Sequence, residues 1–86
     1  MGKYEKLLLK IIRGESDTTI NFKQLFSLLL KLGFDQRVKG DHFIFTREDI
    51  IEIINIQPRD SQAKAYQVKQ IRSLILKYNL GDRDVN

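Results

Sequence analysis

The chain has 86 residues, of which 42% are hydrophobic and 30% charged, with no cysteine and a net charge of +4. That length suits one compact domain with a single small core, residues 1–86, and the balance of apolar and charged residues excludes a disordered chain. Disulfides and thiolate zinc sites are excluded as well, and a reducing compartment, the cytoplasm, is the expected location. The longest apolar runs, LLLKIIR and LFSLLLKLGF, are interrupted by Lys within a few residues, so no segment is expected to span a membrane. The stretch MGKYEKLLLKII has a charge at Glu5 and lacks a small-residue cleavage site, and it reads as mature structure rather than as a signal peptide.

Tyr4, Leu7, Leu8, Ile11 and Ile12 recur at helical spacing until Gly14, which predicts a first helix over 3–13 followed by the polar linker GESDTT. Asn21 is a good N-cap for a second helix carrying Phe22, Leu25, Phe26, Leu29 and Leu32, and Gly33 is placed to end it in a left-handed conformation. The period then changes to two. Phe34, Gln36 and Val38 point one way and Asp35, Arg37 and Lys39 the other, and Gly40-Asp41 is a tight turn before His42-Phe43-Ile44-Phe45. In that second strand Phe43 and Phe45 share one face and His42 and Ile44 the opposite one.

The segment TREDIIEIINIQP has two readings, because Thr46 with Asp49 three residues later resembles the start of a helix. Five isoleucines in seven residues, with Pro58 just beyond, favour a third strand after a turn at Arg47-Glu48-Asp49. From about Ala63 to Asn79 a final helix carries Val68, Ile71, Leu74, Ile75 and Tyr78 on one stripe, and Gly81 is placed to close it. The predicted class is α+β, a three-stranded antiparallel sheet packed against helices in the order α-α-β-β-β-α.

Charge is unevenly spread along the chain. Arg59, Lys64, Lys69, Arg72 and Lys77 face a single acid, Asp60, within one segment, whereas the remaining ten cations and ten acids balance. A positive field concentrated there suits a surface that meets phosphate.

Signatures for nucleotide loops, dinucleotide-binding turns, CxxC pairs and HExxH helices are all missing, and no cofactor or metal is expected. The Glu48-Asp49 pair falls in a turn and reads as solubilising or capping. What remains is the only histidine, His42, beside Arg37, Lys39 and Gly40. An imidazole exchanges protons near neutral pH. That chemistry suits RNA, whose 2′-hydroxyl is an internal nucleophile, with nearby cations stabilising the charge that builds on the phosphate.

Five pieces in order carry a resemblance: Leu32-Gly33-Phe34, Gly40-Asp41-His42, His42-Phe43-Ile44-Phe45, Ile54-Asn55-Ile56-Gln57-Pro58 and Lys64-Ala65-Tyr66-Gln67-Val68-Lys69-Gln70. Over roughly residues 20 to 80 the chain resembles the HicA family of bacterial toxins, and helix 3–13 is additional to that pattern. The resemblance implies a double-stranded-RNA-binding-domain-like fold working as a ribosome-independent mRNA interferase. It also implies His42 as the catalytic residue and a HicB-like antitoxin as the partner that covers it. Arg37, Lys39, Gly40, Lys64 and Lys69 are the candidate RNA contacts. The family usually has serine where Asp41 stands and often a second histidine where Phe43 stands. A carboxylate beside the scissile phosphate would repel it; alternatively, Asp41 orients His42 by a hydrogen bond. The competing expectation is a module of the same fold that binds RNA or a protein partner without catalysis.

Overall fold

The computed structural model describes residues 2–58 and 60–81. Its elements are α1 (Lys3–Arg13), α2 (Phe22–Lys31), β1 (Asp35–Lys39), β2 (His42–Arg47), β3 (Ile50–Ile56) and α3 (Ala65–Tyr78). The α+β class and the order of elements are those expected from the sequence. No helix among the described residues is long and apolar enough to cross a membrane.

The helix ends follow from local chemistry. Gly14 stops α1 at a φ of 70° and returns its N–H to the Ile11 carbonyl. Asn21 caps α2 by accepting the Gln24 N–H at 3.0 Å. The far end of α2 is closed from outside, where Arg47 Nη1 donates to the Leu32 carbonyl at 2.7 Å. The last helix starts slightly later than expected. It begins at Ala65, with Lys64 as N-cap donating its N–H to Gln67 Oε1, and that contact satisfies a glutamine side chain only 1% exposed. It ends at Tyr78 with Asn79 as its left-handed C-cap, in keeping with the expected end at Asn79, although Gly81 is the residue the sequence places to close it. Gly81 is needed for space, since a Cβ there would lie 2.6 Å from Leu8 Cδ2.

The strands form one antiparallel sheet in the order β1-β2-β3. A two-residue turn at Gly40-Asp41 sets the β1-β2 register, with Lys39 opposite His42 and Arg37 opposite Ile44. Strand β2 runs further than expected, to Arg47, which pairs with Ile50 across a turn reduced to Glu48-Asp49, and the register shifts between Phe45 and Arg47.

One face of this sheet is covered. Phe22 of α2 packs tilted against Phe43 at a centroid separation of 5.2 Å, and Phe26 meets Phe43 and Phe45 edge-on at 5.4 and 5.1 Å. Ile54 and Ile56 of β3 join Val68, Ile71, Leu74 and Ile75 of α3 in the same core. Helix α1 belongs to that core through Leu7, Leu8 and Ile11, so it is an integral part of the fold. The helices do not reach β1, and all five of its residues are exposed despite their alternation. The uncovered face carries Arg37, Lys39, His42, Ile44, Ile53 and Asn55.

Two ion pairs tie α3 to other elements. Arg72 meets Asp17 of the GESDTT linker at 2.9 Å, and Lys77 meets Glu52 of β3 at 2.8 Å. Donation from Lys77 and from the Tyr78 hydroxyl holds the Glu52 carboxyl down from the ordinary 4.5 to about 2. A carboxylate depressed in the folded state contributes stability that is fully present above pH 4.5 and is lost as pH falls towards 2. Urea titrations of the protein and of Glu52→Gln should therefore differ near neutral pH and converge near pH 2. A stability difference that does not change with pH would assign the contact no titrating role.

Candidate functional site

The β1-β2 hairpin is the centre of the candidate site. Gly40 takes a φ of 63° in its turn, a conformation that a side chain disfavours, and this brings Asp41 and His42 to the tip of the sheet. As the first residue of β2, His42 lies on the uncovered face with its side chain 45% exposed.

Both imidazole nitrogens face a named group. Nδ1 lies 2.9 Å from Asn55 Oδ1 on β3, and Nε2 lies 3.5 Å from Asp41 Oδ1. With the amide oriented so that its oxygen meets the ring, Nδ1 carries the proton in the neutral imidazole and the Nε2 lone pair points outward. Asn55 thus occupies the orienting position. Asp41 stands on the other side, at the nitrogen free to exchange a proton, and it is held there by a second contact: Gln57 Nε2 donates to Asp41 Oδ2 at 2.7 Å. Lys64 Nζ in turn donates to Gln57 Oε1 at 3.3 Å. A chain of polar side chains therefore runs from the N-cap of α3 through Gln57 and Asp41 to His42.

Compared with models of protein families, with curated proteins and with solved structures, the chain matches none.

The expected site residues fall into two groups. Arg37, Lys39, Gly40, Asp41 and His42 share the hairpin, with Lys39 directly opposite His42 and both cations exposed on its side of the sheet. Lys64 reaches this group through Gln57. Lys69 does not; it is exposed on α3, and among the described residues no hydrogen bond or ion pair joins its side chain to the network.

The positive segment expected at the end of the chain is also altered by folding. Arg72 and Lys77 are neutralised by Asp17 and Glu52, acids remote in sequence, and Arg59 lies outside the described residues. Only Lys64 and Lys69 remain there as cations outside ion pairs among the described residues.

Asn55 and Gln57 were not identified in advance as site residues. Their signal was the alternation in INIQ, where two amides interrupt an isoleucine-rich strand at positions i and i+2 and so must share a face. Which residue would stand opposite them depended on a register that only strand pairing supplies.

Proposed function

We propose that this protein is a metal-independent endoribonuclease toxin acting on mRNA in the cytoplasm, in the manner its HicA resemblance implies, with His42 as the proton-transferring residue. The observation that carries this reading is the bracketed imidazole: Nδ1 fixed by Asn55 at 2.9 Å, Nε2 beside the exposed Asp41 carboxylate at 3.5 Å, and Lys39 directly across the hairpin.

In the reaction, Nε2 takes the 2′-hydroxyl proton of a bound ribose and the 2′-oxygen forms a bond to the adjacent phosphorus. The bond from phosphorus to the 5′-oxygen breaks, leaving a 2′,3′-cyclic phosphate. The proton held by the imidazole passes to the departing 5′-oxygen. Lys39 and Arg37 stabilise the negative charge on the nonbridging oxygens. Gly40 lets the backbone approach the phosphate closely, Lys64 supplies a further cation beside Asp41, and Lys69 extends the path along α3.

An antitoxin of the HicB kind would silence such an enzyme by covering this face. Further along the same face from His42, beyond half-buried Ile44, lie Ile53, 59% exposed, and Ile51, 91% exposed. Apolar side chains continuous with a polar site fit a protein partner better than they fit RNA.

One observation favours the second reading, a binding module without catalysis. The Asp41 carboxylate stands where the scissile phosphate would approach Nε2. Two like charges about 4 Å apart in a water-like medium repel by about 1 kcal/mol, roughly fivefold in rate or affinity.

The experiment is cleavage of end-labelled RNA by the purified protein in excess EDTA, alongside Asp41→Ser. Cleavage that persists in chelator and rises about fivefold in Asp41→Ser supports the enzyme. If neither protein cuts RNA and production of the chain alone leaves cells growing, the binding module is the correct reading. A drop in cleavage on Asp41→Ser would make Asp41 part of the catalytic machinery rather than an obstacle to it.

A further inference from the structure

Helix α1 has no part in the site above, yet it holds a concentrated set of cations that no carboxylate neutralises among the described residues. Lys3, Lys6, Lys10 and Arg13 recur at spacings of three and four residues, which places them on one face of the helix along about 15 Å of its axis. All four are exposed, and none is in an ion pair among the described residues. Like charges at these spacings oppose helix formation, and α1 offsets that by burying Leu7, Leu8 and Ile11 on its opposite face.

Three of these lysines, with Tyr4, Asn21 and Gln24, line a groove of about 410 Å³ between α1 and the start of α2. No carboxylate lines it among the described residues. Glu15 enters only in the adjoining groove, beside Arg13.

We propose that this stripe and groove bind the sugar-phosphate backbone of RNA, as a second contact surface separate from the hairpin. The cations follow one another at about 4.5 to 6 Å along the helix, so they can meet successive phosphates of one strand. The Gln24 amide beside them can donate to phosphate or sugar oxygens. A membrane surface is the poorer match, because the apolar face an interfacial helix would insert is already used in the core. The choice of RNA over an acidic protein rests on the function proposed above.

The test measures binding, so it does not depend on whether the protein cleaves. In a His42→Ala background, the affinity for a fluorescein-labelled oligouridine of about 20 nucleotides is followed as a function of salt. Lys3, Lys6 and Lys10 are then changed together to Gln, and separately to Arg. Each single-strand phosphate contact contributes about 0.7 to the salt slope, so the Gln variant should lose about 2 in slope and roughly a hundredfold in affinity at about 0.1 M salt. The Arg variant should retain both, and neither should lower the melting temperature, since all three side chains are exposed and the Gln variant removes like-charge repulsion along the helix.

Lys31→Gln, at the far end of α2, is the control for net charge alone. An unchanged slope in the Gln variant, or a loss per charge no larger than that of Lys31→Gln, would show the stripe to be only a solvated face. Loss of binding to an acidic protein partner with RNA affinity intact would also overturn the proposal. Absence of cleavage by the unmodified protein would count against the enzyme reading while leaving this measurement in place.

Discussion

His42→Ala should abolish RNA cleavage, by at least about a hundredfold, while leaving the melting temperature within about 2 °C of the parent. The rate falls because His42 is the only imidazole in the chain and stands at the exposed tip of the hairpin, where a 2′-hydroxyl can approach. Lys39 and Arg37 serve the phosphate charge, and Asp41 is anchored to Gln57. Stability is spared because the imidazole is 45% exposed and its one close contact is to Asn55, an exposed side chain whose amide returns to water. The two measurements separate the two roles a lone histidine can have. Full activity in the variant would remove His42 from the chemistry. A melting temperature lowered by about 10 °C would make its bond to Asn55 structural.

The largest effect on stability should come from Asp17→Ala, with a loss of about 2 to 3 kcal/mol and of roughly 10 to 20 °C in melting temperature. Arg72 reaches Asp17 through two parallel bonds, Nη1 to Oδ1 at 2.9 Å and Nη2 to Oδ2 at 3.1 Å, and also donates to the Ile11 carbonyl at 3.1 Å. The guanidinium thereby joins the C-terminal turn of α1, the linker and α3. With side chains only 21% and 12% exposed, the pair is mostly withdrawn from water, and removing the carboxylate leaves a charge with one backbone acceptor. The estimate lies below that for a fully buried pair because both groups keep some solvent. Replacing both residues by apolar ones, Asp17→Leu with Arg72→Met, should recover most of the loss, since no unpaired charge remains. A melting temperature unchanged in Asp17→Ala would show the pair to be solvated and α1 to be held by packing alone.

The legible parts of the fold were those written in local pattern. The apolar period of α1, the Asn21 cap and the Gly40-Asp41 turn each depend on residues within a few positions of one another, and each was readable without any partner. Ends of elements were less legible. The last helix closes at Asn79 because its left-handed residue comes directly after the final turn, and Gly81 was misread because its requirement is the nearness of Leu8, more than seventy positions away in the chain. In the same way, the alternation in β1 could not show that Gln36 and Val38 stay exposed, because their burial would need a helix above the edge strand.

The candidate site divides along the same line. By itself the sequence determined that His42 begins a strand on the face opposite Phe43 and Phe45, beside Arg37 and Lys39, because strand alternation and a two-residue turn leave no other arrangement. Only the tertiary structure decided which groups meet the imidazole, placing Asn55 on Nδ1 and Asp41, held by Gln57, near Nε2. It also decided where the free positive charge lies. Asp17 and Glu52 neutralise Arg72 and Lys77 of the segment richest in cations, whereas Lys3, Lys6 and Lys10 of α1 meet no carboxylate among the described residues. The reason is physical: charge along a chain is a sum over neighbours in sequence, but the field at a surface is a sum over neighbours in space, and folding exchanges one set for the other.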